Sequence, residues 1–385
     1  MRVYLLVLII SGAISFVLTP LMRRIGQQVA HRQEVRARDV HTTVMPRLGG
    51  VAMLLAICAG LALASKIPFT TGIFTQQTLW FGIFSALTVI LVMGVLDDLF
   101  DLPWWVKLLG KIGAALMVAM NGISIQALPV GWIHITQPWL QVLLTVVLIV
   151  GTMNAFNFVD GLDGLATGMT VLGGSAFFIY TYLLTRSINE YDFSNVATLL
   201  MAVLIGAAAG FLPHNLYPAR IFMGEVGSTL LGFIMAIAAI LVTADVGALD
   251  GFRFRNVPAY MPIVLPISVM LVPIIDMLVT VTRRTARGVS PFSADRGHLH
   301  HKLIDGGYNH PQAVWVLYAW SAVVAYGAVL LNFVDWRIWT PIWSLLILLC
   351  VLLTIGPWIG KRYRLAKLRA RRRKLAKERA GRQVR

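Results

Sequence analysis

The sequence predicts an all-α integral membrane protein, a polytopic bundle of about eleven transmembrane helices with the N-terminus outside and the C-terminus cytoplasmic. Three observations predict it. Mean hydropathy is +0.76, and the 385 residues are 58% hydrophobic and 13% charged, which leaves too little polar surface for a soluble chain of this length. Mostly apolar windows of about 17 to 22 residues recur along the whole chain, each suited to a hydrocarbon core. The polar stretches between them reach only about 25 to 30 residues, so no separate soluble domain fits.

In chain order the windows fall near residues 3–22, 48–65, 78–95, 106–120, 139–153, 165–185, 195–212, 227–243, 261–281, 311–331 and 338–357. The first is read as a retained helix and not a signal peptide: only Arg2 precedes it, Arg23 and Arg24 follow it, and no small-residue cleavage site is evident. If successive loops alternate sides, one side collects Arg23, Arg24, Arg32, Arg36, Arg38, Arg47, Lys107, Lys111, Arg220, Arg283, Arg284, Arg287, Arg296 and Lys302. The other holds Arg2, Lys66, Arg186, Arg253, Arg255 and Arg337. The rich side is cytoplasmic by the positive-inside rule. Residues 1–360 then form one transmembrane domain with cytoplasmic active-site loops, and 361–385 form a basic cytoplasmic tail.

That tail supplies 13 of the 33 basic residues, so most of the net charge of +16 belongs to it. Beside a last helix it suits an anionic leaflet, which is preferred here over a nucleic-acid partner. Cys58 and Cys350 fall inside apolar windows and read as packing residues. No internal repeat is visible, which weakens the case for a transporter built from two related halves.

The acids are the informative residues. Asp97 and Asp98 close the third helix, Asp160 and Asp163 lie in NAFNFVDGLDGLATG, Glu225 lies in ARIFMGEVGS, and Asp276 is embedded in VPIIDMLVT. All map to one membrane face or its adjoining helix ends. Each has a plain structural reading: Asp98 ends a helix, Asp160 and Glu225 cap the next ones. Asp276 is harder to dismiss, since an intramembrane carboxylate is a functional candidate by default. Asp160 and Asp163, three apart, are expected to share one face of a helical turn. Gathered acids raise one another's pKa unless cations join them. Mg²⁺ is the natural candidate because it bridges one or two carboxylates to substrate phosphates. Lys107 and Lys111, four apart on one helix, add phosphate-binding charge, so the cluster suggests chemistry on a phosphorylated or pyrophosphorylated substrate.

In SPFSADRGHLHHKL, His298, His300 and His301 follow Asp295 and Arg296 in the longest cytoplasmic loop between helices. A zinc site is the generic alternative, but no cysteine is near and adjacent side chains 300 and 301 point apart. Imidazoles and a guanidinium on a mobile loop suit closure over an anionic donor, with Arg296 able to hold a phosphate in two-pronged fashion.

PRLGG (46–50), GVLDD (94–98), NAFNFVDGLDGL (154–165), NLYPARIFMGEVGS (215–228) and SPFSADRGHLHH (290–301), in this order, resemble the polyprenyl-phosphate N-acetylhexosamine-1-phosphate transferases of glycosyltransferase family 4. The single His-x-His-His pattern resembles the WecA and TagO type, which uses UDP-GlcNAc; the MraY type, which takes UDP-MurNAc-pentapeptide, carries three consecutive histidines. The resemblance implies transfer of a sugar 1-phosphate, GlcNAc-1-phosphate above all, from a UDP-sugar to undecaprenyl phosphate. The products would be undecaprenyl-diphospho-sugar and UMP, in the first membrane step of a cell-envelope pathway such as lipopolysaccharide or teichoic acid synthesis. It implies a bacterial inner-membrane location, Mg²⁺ with Mn²⁺ as a substitute, and leaves a homodimer open. Position by position it assigns Asp97 and Asp98 to the lipid phosphate and its deprotonation, and Asn157, Asp160 and Asp163 to the nucleotide and reaction centre. It assigns Lys107 to a phosphate, and Arg296, His298, His300 and His301 to the donor's sugar and pyrophosphate. The metal falls to Glu225, with Asp163; the family's FMG motif normally continues with aspartate, and here with Glu225. The competing readings are an MraY-type transferase and, in another class, an ion-coupled transporter using Asp276 and Asp160 as a relay.

Overall fold

The computed structural model describes residues 1–30, 45–128, 133–188, 193–248, 261–288, 299–331 and 333–357. Asp192, Arg296, His298 and the tail 361–385 lie outside the described residues. The long helices are α1 (Arg2–Ala30), α2 (Gly49–Ala64), α3 (Gln77–Phe100), α4 (Trp104–Ala119), α5 (Pro138–Val159), α6 (Leu165–Ile188), α7 (Phe193–Asn215), α8 (Gly224–Ala248), α9 (Met261–Ala286), α11 (His310–Leu330) and α12 (Trp336–Pro357). A short helix, α10 (Leu299–Gly306), precedes α11. The only strands among the described residues are β1 (Ala127–Leu128) and β2 (Ile133–His134), a two-residue antiparallel ladder.

Each long helix falls on one of the apolar windows predicted from the sequence, and eight of them are long and apolar enough to cross a membrane. Two of the others, α2 and α4, are 16 residues each, about 24 Å at 1.5 Å per residue against a core of about 30 Å. The windows err mainly at helix ends that carry polar residues. The window near 139–153 stops where α5 continues to Val159, so Asn154 and Asn157 are helical. Those turns stay helical because their side chains find partners on α4 and α8.

At the centre stands α8, packed against α2, α3, α5, α7 and α9. Its sequence is apolar on every side, as a helix surrounded by other helices must be. The spanning stretch of α8 is 94% buried, whereas that of α12 is 6% buried. α12 is equally apolar, so the contrast is between a helix solvated by protein and one left for lipid. Across the bundle α1 lies along α7, joined by the Ser15 hydroxyl donating to the Ala207 carbonyl at 2.7 Å. Short connections bring the C-terminal ends of α3, α5 and α7 to the same face as the N-terminal ends of α4, α6, α8 and α11.

Candidate active site

The polar face is built on backbone pairing between two of the sequence motifs. Phe222 N–H donates to the Pro46 carbonyl (2.9 Å), Gly49 N–H to Phe222 (3.0 Å) and Gly50 N–H to Met223 (2.8 Å). This stitches PRLGG to IFMG and sets the starts of α2 and α8 side by side. On the opposite flank Gly94 lies against Val226, where a Cβ would strike the Val226 backbone. That close approach carries Asp98, one turn on, to the N-terminus of α8. Both Asp98 carboxylate oxygens accept the Glu225 N–H, at 3.1 and 3.2 Å. A carboxylate from α3 thus caps α8 in trans, satisfying an orphan amide and facing the positive end of the helix dipole. Gly224 has φ +69°, and a side chain there would collide with Asp98 and the Arg47 carbonyl. Only glycine fits this turn.

Two lysines of α4 face two acids of this cluster. Lys107 pairs with Asp97 at 2.8 Å, and Asp97 also accepts the Leu102 N–H at 2.9 Å. Lys111 pairs with Glu225 at 2.8 Å and donates to the Asn154 side-chain Oδ1 at 3.0 Å. The remaining Glu225 contacts are the Asn157 amide (2.6 Å) and the Thr229 hydroxyl (3.2 Å). The expected i, i+4 face of Lys107 and Lys111 is realised. Ile90, Met93 and Gly94 line one narrow cleft with Asp97, Lys107, Gly110, Lys111, Glu225 and Thr229, so charge and hydrocarbon meet there.

The NFVDGLDG stretch departs from one expectation. Asp160 and Asp163 do not share a helical face: Asp160 is the C-cap residue of α5, and Asp163 lies in the turn before α6. The helix ends at Asp160 because its ψ of +49° leaves helical geometry and residues 161–164 turn the chain. Burial pushes the Asp160 carboxyl up to about 7, and the Glu225 and Asp163 carboxylates push the same way against Arg47. Asp163 Oδ2 accepts the Ala219 N–H at 2.9 Å, and its own N–H donates to His310 Nε2 at 3.1 Å. Asn215 Oδ1 accepts from Gly164 N–H and from the Thr167 hydroxyl, and the Tyr318 hydroxyl donates to the Gly164 carbonyl. The turn is therefore locked to α7, to the 215–222 connection and to α11.

The structure brings Asp97, Asp98, Lys107, Asn157, Asp160, Asp163 and Glu225 to one face. Of the histidine segment, His300 and His301 lie in the first turn of α10, a helix that the expected loop did not include. The pattern gave no signal for it because it is only eight residues long and its cap comes from elsewhere. Asp276 supplies that cap: it is buried in α9 and accepts the Leu299 N–H at 2.7 Å. Sequence reasoning also missed Asn154, Thr229, Asn215, His310 and Tyr318 as supporting residues. Asn154 and Asn215 stood inside the quoted motifs, whereas nothing distinguishes Tyr318 from any other aromatic in a span.

No group of three His, Cys, Asp or Glu among the described residues is spaced to hold a metal by protein ligands alone. Mg²⁺ needs less, since it keeps waters and takes one or two carboxylates with substrate phosphates. Hard oxygen donors on Asp98, Asp160, Asp163 and Glu225, with Asp160 disfavoured as an anion by burial and then by its acidic neighbours, suit such an ion.

Residues 80–243 match the model of glycosyl transferase family 4. The decaprenyl-phosphate N-acetylglucosaminephosphotransferase of Mycobacterium tuberculosis (strain ATCC 25618 / H37Rv) is 36% identical over 333 residues, covering 85% of this chain and 82% of that protein. The probable undecaprenyl-phosphate N-acetylglucosaminyl 1-phosphate transferase of Bacillus subtilis (strain 168) is 31% identical over 359 residues, covering 91% of each. The undecaprenyl-phosphate alpha-N-acetylglucosaminyl 1-phosphate transferase of Escherichia coli (strain K12) is 28% identical over 372 residues, covering 93% of this chain and 92% of that protein. With 36% and 31% identity to two of these enzymes over more than four-fifths of its length, the chain belongs to glycosyl transferase family 4, the polyprenyl-phosphate sugar-phosphate transferases.

Proposed function

We propose that this protein transfers GlcNAc-1-phosphate from UDP-GlcNAc to undecaprenyl phosphate on the cytoplasmic face of a bacterial membrane. The observation that carries the reading is the pairing of α4 lysines with α3 and α8 carboxylates in one cleft that is part hydrocarbon. An oxygen of the lipid phosphate attacks the sugar-bearing phosphorus of the donor, the bond from that phosphorus to the UMP oxygen breaks, and UMP departs. Both reactants are anions, so the barrier includes like-charge repulsion and the entropy of bringing them together.

Lys107, the more exposed of the two lysines, meets the lipid phosphate and exchanges Asp97 for it. Lys111 stays with Glu225 and holds that carboxylate in place. Asn157 orients Glu225 from the other side, and the locked 160–164 turn presents Asp160 to the donor. His300 and His301 of α10, with Arg296 and His298, engage the donor's sugar and pyrophosphate. Mg²⁺, with Mn²⁺ as a substitute, would be held by Glu225 together with Asp160 or Asp163 and would neutralise phosphate charge when bound. Glutamate in place of the family aspartate is accommodated by its contacts with Lys111, Asn157 and Thr229.

Purified protein incubated with undecaprenyl phosphate, Mg²⁺ and a panel of UDP-sugars should release UMP with UDP-GlcNAc. Product only from UDP-MurNAc-pentapeptide would overturn the substrate. The orientation has its own test: a reporter fused after Arg385 should be cytoplasmic and one inserted near Asp192 external, and both on one side would refute it.

A further inference from the structure

We propose that Asp276 is a positioning residue whose buried carboxylate docks α10, and with it His300 and His301, against the body of α9. The contact point lies ten residues before the end of α9, about 15 Å along the helix at 1.5 Å per residue, so α10 begins beside α9 and not beyond it, and from there packs on α11. Asp276 is 4% exposed, and its Oδ1 receives the Leu299 N–H at 2.7 Å. Leu303, one turn further along α10, is 2% exposed, and Leu299 and Ile304 pack on the core.

A carboxylate at this depth is costly, and a first-turn amide is among the few groups that recover the cost. Such an N–H has no partner within its helix, carries the positive end of the dipole, and bonds more strongly to an ionised acceptor. The arrangement repeats what Asp98 does for α8: an aspartate from a neighbouring span caps the helix that carries a site residue. α10 is a helix of eight residues, too short to be stable by itself. Its place therefore depends on this bond, on the burial of Leu303 and on its packing against α11.

The inference rests on the reading of His300 and His301 as donor-binding residues, and two readouts separate the two ideas. The first is independent of activity. With Cys58 and Cys350 replaced, Leu303→Cys in the full-length protein should label slowly with a maleimide. Adding Asp276→Ala should speed that labelling about tenfold, the factor that losing a helix cap is worth. Adding Asp276→Asn, which keeps an oxygen acceptor, should leave labelling within about threefold of the parent. The second readout is kinetic: Asp276→Ala alone should raise the KM for UDP-GlcNAc about tenfold with the lipid-phosphate KM unchanged, and Asp276→Asn should restore most of it.

Unchanged labelling in Asp276→Ala would overturn the proposal. So would equal loss of activity in the Ala and Asn variants at parental labelling, which would give the charge itself a chemical role. Faster labelling with an unaltered donor KM would support the docking and remove the histidines from the donor site.

Discussion

At the corner where α3, α4 and α8 meet, acids face lysines: Asp97 with Lys107 and Glu225 with Lys111. At the corner where α6, α7 and α11 meet, the same kind of side chain faces backbone amides and neutral groups, with Asp163 on Ala219 and Asn215 on Gly164. The first arrangement holds charge that can be exchanged for a substrate's charge. The second uses its groups to fix the path of the chain. Motif residues that look alike in sequence thus divide into those that pair with a lysine and those that bond the backbone of a turn.

The largest expected effect comes from breaking the lysine corner at its buried pair. Glu225→Gln keeps the volume but leaves Lys111 without its counter-charge, and losing one partner of a buried pair costs about 3 to 5 kcal/mol. Turnover should fall steeply and the Mg²⁺ titration should move to higher concentration, while Glu225→Asp should retain measurable activity. Near-normal turnover with an unchanged Mg²⁺ titration in Glu225→Gln would remove the residue from the site and reduce it to a first-turn helix residue.

Lys107→Ala tests the exposed half of that corner. The Lys107 side chain is 27% exposed but that of its partner Asp97 only 7%, so losing the lysine leaves a buried carboxylate without its cation, and the melting temperature should fall, though less than in Glu225→Gln. Loss of a charge-assisted contact to phosphate, about 1.5 to 3 kcal/mol, should raise the lipid-phosphate KM about 10- to 100-fold. An unaltered lipid-phosphate KM would take Lys107 out of phosphate binding.

Asp98 belongs to both sides of the comparison, since it is an acid in the lysine corner that bonds an amide. Asp98→Asn keeps an acceptor for the Glu225 N–H, so stability should hold to within about 1 kcal/mol while turnover drops. Parallel loss of both would assign Asp98 to the helix cap alone. The smallest effect is expected at the amide corner: Tyr318→Phe removes the bond to the Gly164 carbonyl, worth about 0.5 to 1.5 kcal/mol. Thermal unfolding should register it, with turnover reduced less than about tenfold. A loss as large as that of Glu225→Gln would contradict the division between the two corners.

The spans were legible because lipid imposes one requirement on every residue of a spanning helix, and hydropathy reports it without knowledge of the neighbours. The acids and lysines of the site were legible for the complementary reason, that charge beside such windows is rare enough to stand out. The inner ends of helices were less so: Asn154 and Asn157 look like loop residues until Lys111 and Glu225 are seen across from them. α10 was not legible at all, because eight residues are too few to establish a helical period and the cap is supplied by Asp276 on another span.

By itself, then, the sequence determined the solvent of this protein, the number and order of its long helices, and the chemical kinds gathered on one face. Those are properties of local composition. Which carboxylate meets a lysine and which meets an amide was decided only by tertiary structure. Glu225 and Asp163 differ less in their own chemistry than in what the folded chain sets beside them: Lys111 from α4 in one case, the Ala219 amide in the other. A hydrogen bond or ion pair needs its two atoms within about 3 Å, and that separation depends on helix packing between segments far apart in the chain.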